Sequence, residues 1–578
     1  MNPKLQFWTC IVCCGLLLSL ASVSASAQQR GTITGRIVTD DGITLSGVTV
    51  MLMSYSGGIS TRSFKTTLTD EEGKFQFTGL PQRTYTINVT ESLGYVTAPR
   101  PVNAPPQVYR IGDQAVIRLM RGGVITGRVT YPNGEPIIGV YVTAFRVRDA
   151  EGAPLKYQTN FRTRLTDDRG VYRIYGLQPG SYIVAANHSG ASFYGNQSPF
   201  DGDAATYHPA SPHDTASELQ VAAGTELANI DIRYRSERGH VLSGKVIGGS
   251  APNGSTTYLA NIMLLTYPAG MHAGITASRP GDTDNGFAFL GIPDGEYELI
   301  ADRGSADGEG NLRAESRRVT VRGGDVIGIE LKLMPMASIT GRVLLEASTT
   351  ACDPKAKPSV EEFMIVPRRE EKATETTAQT FRYQQAFVPD EKGEFKLYGL
   401  IAGQYRIAST LPGENWFVKS IASATGPANT TAKSPATTDL GRSGITLKSG
   451  EKLSGVTITI ADGAVSLRGT LAPAKPGGRL SSRMRVHLIP AELTAVEDAL
   501  RYGETITTDG SFAFTNFAPG KYWLLAKAVP DNDPADRLPM PLAWNATERS
   551  KLRKEAEAAK HEVELKACQR ISEYVLKF

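Results

Sequence analysis

Short runs of alternating apolar and polar residues fill this chain, and one such run returns five times. Phe75 and Phe77 alternate with Lys74 and Gln76, and the same beat recurs at Tyr172/Ile174, Phe287/Phe289, Phe395/Leu397 and Phe512/Phe514. A period of two marks a strand with one buried face. Turn chemistry stands ahead of the run: Asp70-x-x-Gly73, Asp167-x-x-Gly170, Asp282-x-x-Asn285 and Asp390-x-x-Gly393, with Gly510 in the fifth copy. There the carboxylate accepts backbone N–H groups, and glycine, or next best asparagine, supplies a positive φ. Behind the run, Gly79-Leu80, Gly176-Leu177, Gly291-Ile292 and Gly399-Leu400, loosened to Asn516-Phe517, reverse the chain towards Tyr85, Tyr182, Tyr297, Tyr405 and Tyr522. Each copy predicts a hairpin. Each tyrosine is expected in a core, its hydroxyl anchoring the turn, rather than exposed as a ligand stacker. A further turn glycine holds at Gly180, Gly295, Gly403 and Gly520, but the first copy has Arg83.

A second phrase opens each unit: Thr32-Ile-Thr-Gly35-Arg36-Ile37, Val124-Ile-Thr-Gly127-Arg128-Val129, Val241-Leu-Ser-Gly244-Lys245-Val246, Ser338-Ile-Thr-Gly341-Arg342-Val343 and a degenerate Val465-Ser-Leu-Arg-Gly469-Thr470. A third, such as Ile329-Glu-Leu-Lys-Leu333, closes most units. The repeat tyrosines are 97, 115, 108 and 117 residues apart, room for about seven short strands, the size of an immunoglobulin-like sandwich. The expected organisation is a leader at 1–27 and β-sandwiches at 28–120, 121–236, 237–335, 336–462 and 463–578. Helical periodicity emerges only at about 545–561, where Asn545 and Glu548 resemble a capping box and Leu552, Ala556, Ala559 and Val563 share a face. Val563-Glu-Leu565 and Tyr574-Val-Leu576 read as closing strand material, and the helix as an insertion before the last strand of the fifth unit.

The N-terminus changes the picture of where the chain works. Lys4 precedes an apolar run ending near Leu20, and Ala25-Ser-Ala27 fits a signal-peptidase site. Export is expected, to a periplasmic, cell-surface or extracellular destination, with a mature start at Gln28 and no membrane span thereafter, since no other stretch approaches ~18 apolar residues. Cys10, Cys13 and Cys14 leave with the leader. Cys352 and Cys568 remain in different units, and on that ground a disulfide framework is excluded. A formal net charge of +4 is too small to imply nucleic acid or an anionic membrane.

Candidate chemistry is sparse. There is no P-loop, no Gly-x-Ser-x-Gly and no His-Glu-x-x-His, and the five units leave no length for a catalytic domain. His561-Glu-Val-Glu564 is a chance His-x-x-Glu without its domain. His188, His208 and His213 share a loop with Asp201, Asp203 and Asp214, but their spacing matches no rigid ligand pair and reads as a solvated loop. Asp531-Asn-Asp533-Pro-Ala-Asp536 lacks the glycine and glutamate of a calcium-binding loop. No metal, cofactor or catalytic residue is assigned. If anything is bound specifically, the surface is the long interruption from about Asn187 to Ala216, with Tyr194, Phe200, Tyr207 and His208. The competing reading lays Tyr207-His-Pro209 along the sandwich, closing a core edge.

Ile-Thr-Gly-Arg-Val followed by Asp-x-x-Gly-x-Phe-x-Phe-x-Gly-Leu-x-x-Gly-x-Tyr resembles the carboxypeptidase regulatory-like domain. The resemblance implies an all-β protein of five tandem seven-stranded transthyretin-like (prealbumin-like) sandwiches, with no catalytic residues of their own. The domain is similar to collagen-adhesin repeats that crosslink a first-strand lysine; here only Lys245 fits, and arginine cannot act as that nucleophile. It also resembles starch-binding-like sandwiches, which grip sugars with exposed aromatics, but Trp416, Trp523 and Trp544 sit in or beside predicted elements. The expected function is a non-enzymatic, exported rod that spaces or mediates contacts at the bacterial cell envelope, with an unidentified envelope protein or polysaccharide as partner. The alternative is a carbohydrate-binding or accessory array.

Overall fold

A computed structural model describes residues 30–54, 63–89, 94–99, 107–150, 152, 154–155, 161–187, 199–248, 260–267, 272–277, 286–304, 310–346, 352–353, 358–370, 386–425, 436–474, 481, 483–492, 498–529 and 546–578. The leader, Tyr194, His188, Asp282, Asn285, the 531–536 run, Trp544 and Asn545 lie outside them. Strands are the dominant regular structure of the described residues, and their principal cores span residues 33–119, 125–234, 242–333, 337–460 and 465–576. The stretches around these cores are called units one to five below.

Unit one shows the plan. Strand Arg30–Thr39 runs antiparallel to Lys74–Pro81 and parallel to Gln114–Arg121, while Thr49–Ser54 lies between Ser63–Leu68 and Tyr85–Val89 in the facing sheet. Tyr95–Thr97 extends the first sheet at its edge. Unit five repeats this order, with Val465–Ala472 between Ser511–Phe517 and Arg570–Lys577. Among the described residues both end units have seven strands, and the middle ones add short extra strands. Phe75 and Phe77, like their counterparts in the later units, point into the core, as the period of two requires.

The first-strand glycine is explained by a close approach. A Cβ at Gly127, Gly244, Gly341 or Gly469 would lie 2.0, 1.9, 1.9 or 2.2 Å from a carbonyl oxygen of the unit's closing segment, so no side chain fits. The Asp-x-x-Gly turns form as the sequence suggests. Asp70 accepts the Glu72 and Lys74 N–H groups, Asp167 those of Arg169 and Val171, and Asp390 those of Lys392 and Glu394. In unit five Asp509 takes this role, accepting from the Ser511 and Thr507 hydroxyls and the Ser511 N–H. The Ser511 hydroxyl is the main cause that holds its carboxyl down to about 2.

Helix Ala546–Ala559 covers the outer face of unit five, with Leu552 and Ala556 against Ile489 and Trp523. It precedes the last two strands, Glu562–Leu565 and Arg570–Lys577, rather than the last alone; Val563 lies on the first of them, where the closing-strand reading put it and not on the helical face.

Two expectations are corrected. Cys352 and Cys568 form a disulfide, S–S 2.06 Å, across a sequence separation of 216 residues. Membership of different units did not keep them apart, because units four and five dock and bring the Lys566–Gln569 turn to the chain at Asp462. The Cys568 N–H donates to the Gly463 carbonyl, and the Cys352 N–H donates to the Asp462 carboxylate. Nor do the units touch only their sequence neighbours, as in a simple rod. Arg83 pairs with Glu361 at 2.9 Å, Gln82 donates to Glu362, the Thr84 hydroxyl donates to the Glu362 carbonyl, and Arg110 donates to the Leu411 carbonyl, so unit one packs on unit four. Arg83, the exception to the turn glycine, is one of the residues that make this contact.

Candidate functional site

The five repeat tyrosines are each 4% exposed or less. Their hydroxyls donate to the carbonyl four residues earlier, at Pro81, Gln178, Pro293, Ile401 and Ala518, over 2.6–2.8 Å. Burial pushes the Tyr85, Tyr182 and Tyr522 phenols up to about 12. Such groups hold turns; they are not placed to meet a ligand.

The long interruption of unit two is folded onto the protein where it is described. Tyr207 is buried with Phe145, Ile183 and Ala185 on the outer face of the unit-two sheet, in the position of the edge-closing reading. Phe200 packs edge-on against Tyr234 with centroids 5.8 Å apart. A His208 ring nitrogen meets the Asp231 carbonyl at 2.6 Å, and His213 sits beside Asp214. Asp203 accepts from the Tyr234 hydroxyl and lies near Arg238. Among the described residues, the histidines and aspartates of this loop do not converge on one point. His561 and Glu564 serve the last sheet edge, the His561 carbonyl accepting from Leu524. Lys245 is ion-paired to Glu330 at 3.0 Å. Trp416 and Trp523 are each 9% exposed, which leaves little of either ring for a sugar.

The repeat residues also build the joints between units. At each of the four joints a linker N–H donates to a carbonyl in a loop of the preceding unit: Gly122 to Gly94, Gly239 to Gly202, Met336 to Asn311 and Gly463 to Asn415, over 2.7–3.1 Å. The turn residue of the following unit meets the same loop. Gly291, at φ +69°, leaves no room for a Cβ, which would fall 2.4 Å from the Asp203 carbonyl. Its counterpart Asn516, at φ 64°, donates to the Gly413 and Trp416 carbonyls. The left-handed turn thus serves both hairpin and joint.

Between units one and two this joint leaves a cleft of about 610 Å³. Tyr95 and Arg121 line it from unit one, and Arg162, Arg173, Tyr175 and Glu226 line it from unit two. Arg173 pairs with Glu226 at 3.0 Å, and this hydrogen bond is the main cause that raises its pKa. The Arg121 guanidinium lies over the Tyr95 ring, and that of Arg164 lies over Tyr175 at 4.6 Å. None of these residues was singled out from the sequence. The available signal was the outward half of the repeated run, Gln76/Thr78 in the first copy but Arg173/Tyr175 in the second.

The model of the carboxypeptidase regulatory-like domain matches residues 32–111 and 124–198, in the first two units. These two matched stretches are carboxypeptidase regulatory-like domains in tandem. No curated protein matches it. Similar solved structures include the Bacillus anthracis TIE protein, at 13% identity, covering 52% of this chain and 51% of that one with a TM-score of 0.13. Others are GBS52, the minor pilin of Streptococcus agalactiae (13%, 39% and 99%, 0.19), and BcpA, the major pilin subunit of Bacillus cereus (12%, 53% and 99%, 0.15). The chain spans about half the length of the TIE protein it matches. Likenesses at these scores carry no argument about its role. Among the described residues no helix is long and apolar enough to cross a membrane.

Proposed function

We propose that this chain is a non-enzymatic scaffold, exported on its N-terminal leader, that holds or spaces partners at the cell envelope. The observation that supports this reading is how the repeat residues are spent. The aromatics fill cores, the tyrosine hydroxyls pin turns, and the turn glycines and Asn516 receive the neighbouring unit. What the sequence repeats is therefore a device for stacking sandwiches, and variable side chains around the joints are left to do any binding. The disulfide between units four and five and the contact of unit one with unit four make the stack stiffer than a string of beads. The carbohydrate-binding alternative is disfavoured by the burial of Trp416 and Trp523.

The test is a pull-down from solubilised cell envelope with the mature protein, run beside hydrolysis assays on peptide and glycan panels. A saturable envelope protein partner with no turnover is expected. Turnover of any substrate by the purified chain would overturn the scaffold reading.

A further inference from the structure

We propose that the edge strand Ser63–Leu68 of unit one is a docking surface for a second copy of this chain, the two strands pairing antiparallel about a two-fold axis. Among the described residues no strand lies beyond it in its sheet, so one side of its main chain offers N–H and C=O groups for pairing. Its side chains do little to guard that edge. Phe64 and Leu68 are 63% and 61% exposed. They lie with Thr66 on the outer face, since Lys65, one step along, donates from its ammonium to the Thr78 carbonyl of the facing sheet.

The corresponding face is covered in other units. Tyr207 lies over Phe145 and Ile183 in unit two, Met263, Leu265 and Ile300 are buried in unit three, and the C-terminal helix lies over Ile489 and Trp523 in unit five. In unit one Phe64 stays in water beside the half-buried Met53, its neighbour across the sheet.

The residues of the strand select a copy of itself. Registers centred on a residue keep the outer faces of both copies on one side, because side chains alternate along a strand. Centred on Thr66, the pairing sets Phe64 opposite Leu68 of the second copy on either side of the axis, and Lys65 opposite Thr67. Centred on Lys65 it would set ammonium against ammonium, and centred on Thr67 it would set Phe64 opposite Asp70. Unit two supplies the contrast. Its edge strand Phe161–Leu165 keeps the spacing Phe-x-Thr-x-Leu, and Leu165 is 51% exposed. The equivalent register, centred on Thr163, would oppose Arg162 to Arg164, and like charges directly opposite are destabilising. Pairing the unit-one edge with the unit-two edge of another copy would set Lys65 against Arg164. Of these three pairings, only unit one with unit one is free of repulsion, and such an isologous contact closes at two copies.

Sedimentation velocity of the mature full-length protein, from about 1 µM to about 0.3 mM, should show a reversible monomer–dimer equilibrium. It should be weak, because six residues a side make a small interface. Leu68→Lys places a charge opposite Phe64 and should weaken dimerisation at least about tenfold. Should that variant lose its wild-type melting profile, Thr66→Lys, at the exposed centre of the strand, gives the same reading. Crosslinking reads the register. Cys352 and Cys568 are bonded to each other, and Thr66→Cys puts a new thiol opposite its own counterpart. Under mild oxidation it should form a disulfide-linked dimer at least about tenfold faster than Lys65→Cys or Thr163→Cys. A chain that stays monomeric up to about 0.3 mM, equal dimerisation in the folded Leu68→Lys variant, or equal crosslinking at the three positions would overturn the proposal. If a monomeric chain instead captured an envelope protein that Leu68→Lys lost, the edge would belong to that partner and not to a second copy. These outcomes leave the scaffold reading standing, since a monomer can still space partners.

Discussion

The first joint and the last are built on the same main-chain bond but are finished with different side chains. In both, a linker glycine N–H donates to a carbonyl in the preceding loop, at Gly94 and at Asn415. The last joint then adds the Asn516 amide, the Arg468–Glu414–Arg570 cluster and the Cys352–Cys568 bridge. Among the described residues the first adds the Gln178 amide donating to the Thr97 carbonyl, and it leaves a cleft lined by arginines. The backbone geometry that the repeat enforces makes a joint. The residues that the repeat leaves free decide how firmly it is locked.

Cutting the lock should have the largest effect. Replacing Cys352 and Cys568 by serine removes a crosslink closing a loop of more than 200 residues and should cost the pair of units four and five roughly 4 kcal/mol. Scanning calorimetry should show unit five melting earlier and apart from unit four, with the transition of unit two unmoved. An unchanged profile, with and without reductant, would make the bridge irrelevant to the last joint.

Next in size is the tyrosine corner beside the open joint. Tyr182→Ala should destabilise unit two by roughly 3 kcal/mol, the cost of truncating a buried aromatic. Tyr182→Phe should cost only about 1 kcal/mol, the net value of its hydroxyl bond to the Gln178 carbonyl. Denaturant melts of both variants check the difference. Equal losses would mean that the hydroxyl, not the ring, supports the corner.

Glu414→Gln should weaken the last joint by less, about 0.5–1 kcal/mol, because Glu414, Arg468 and Arg570 are each about half exposed and screened by water. The loss should shrink in high salt. A salt-independent loss would point to packing rather than charge.

The smallest effect concerns the contact of units one and four. Burial is the main cause that raises the Glu361 and Glu362 pKa values, opposed at Glu361 by Arg83. For carboxyls whose pKa rises on docking, the contact is strongest below the ordinary glutamate range and weakens as pH climbs through the raised values. Energy transfer between dyes on units one and four should therefore fall slightly from about pH 4 to about pH 7. A rise over that interval would show the Arg83 ion pair outweighing desolvation.

Much of the fold was legible because its signals are local. Alternation at Phe75/Phe77 and its copies gave the strands, Asp-x-x-Gly gave the turns, and the spacing of Tyr85 to Tyr522 gave the size of the unit. Each is a statement about a handful of consecutive residues whose backbone chemistry allows few alternatives. The candidate loop was legible as an interruption that either offers a binding surface or closes a core edge. Which of the two holds depends on packing: Tyr207 turns inward onto Phe145, Ile183 and Ala185, which come from separate strands.

Tertiary structure alone decided the rest. It paired cysteines 216 residues apart, set Arg83 against Glu361 and gathered Arg121, Arg162 and Arg173 around one cleft. These contacts depend on how rigid units sit against one another, and that is set by small areas of variable surface at the joints. A sequence pattern records which face of a strand is buried in its own unit. It does not record which neighbour reaches the other face, because polar residues are permitted there whether or not a partner arrives.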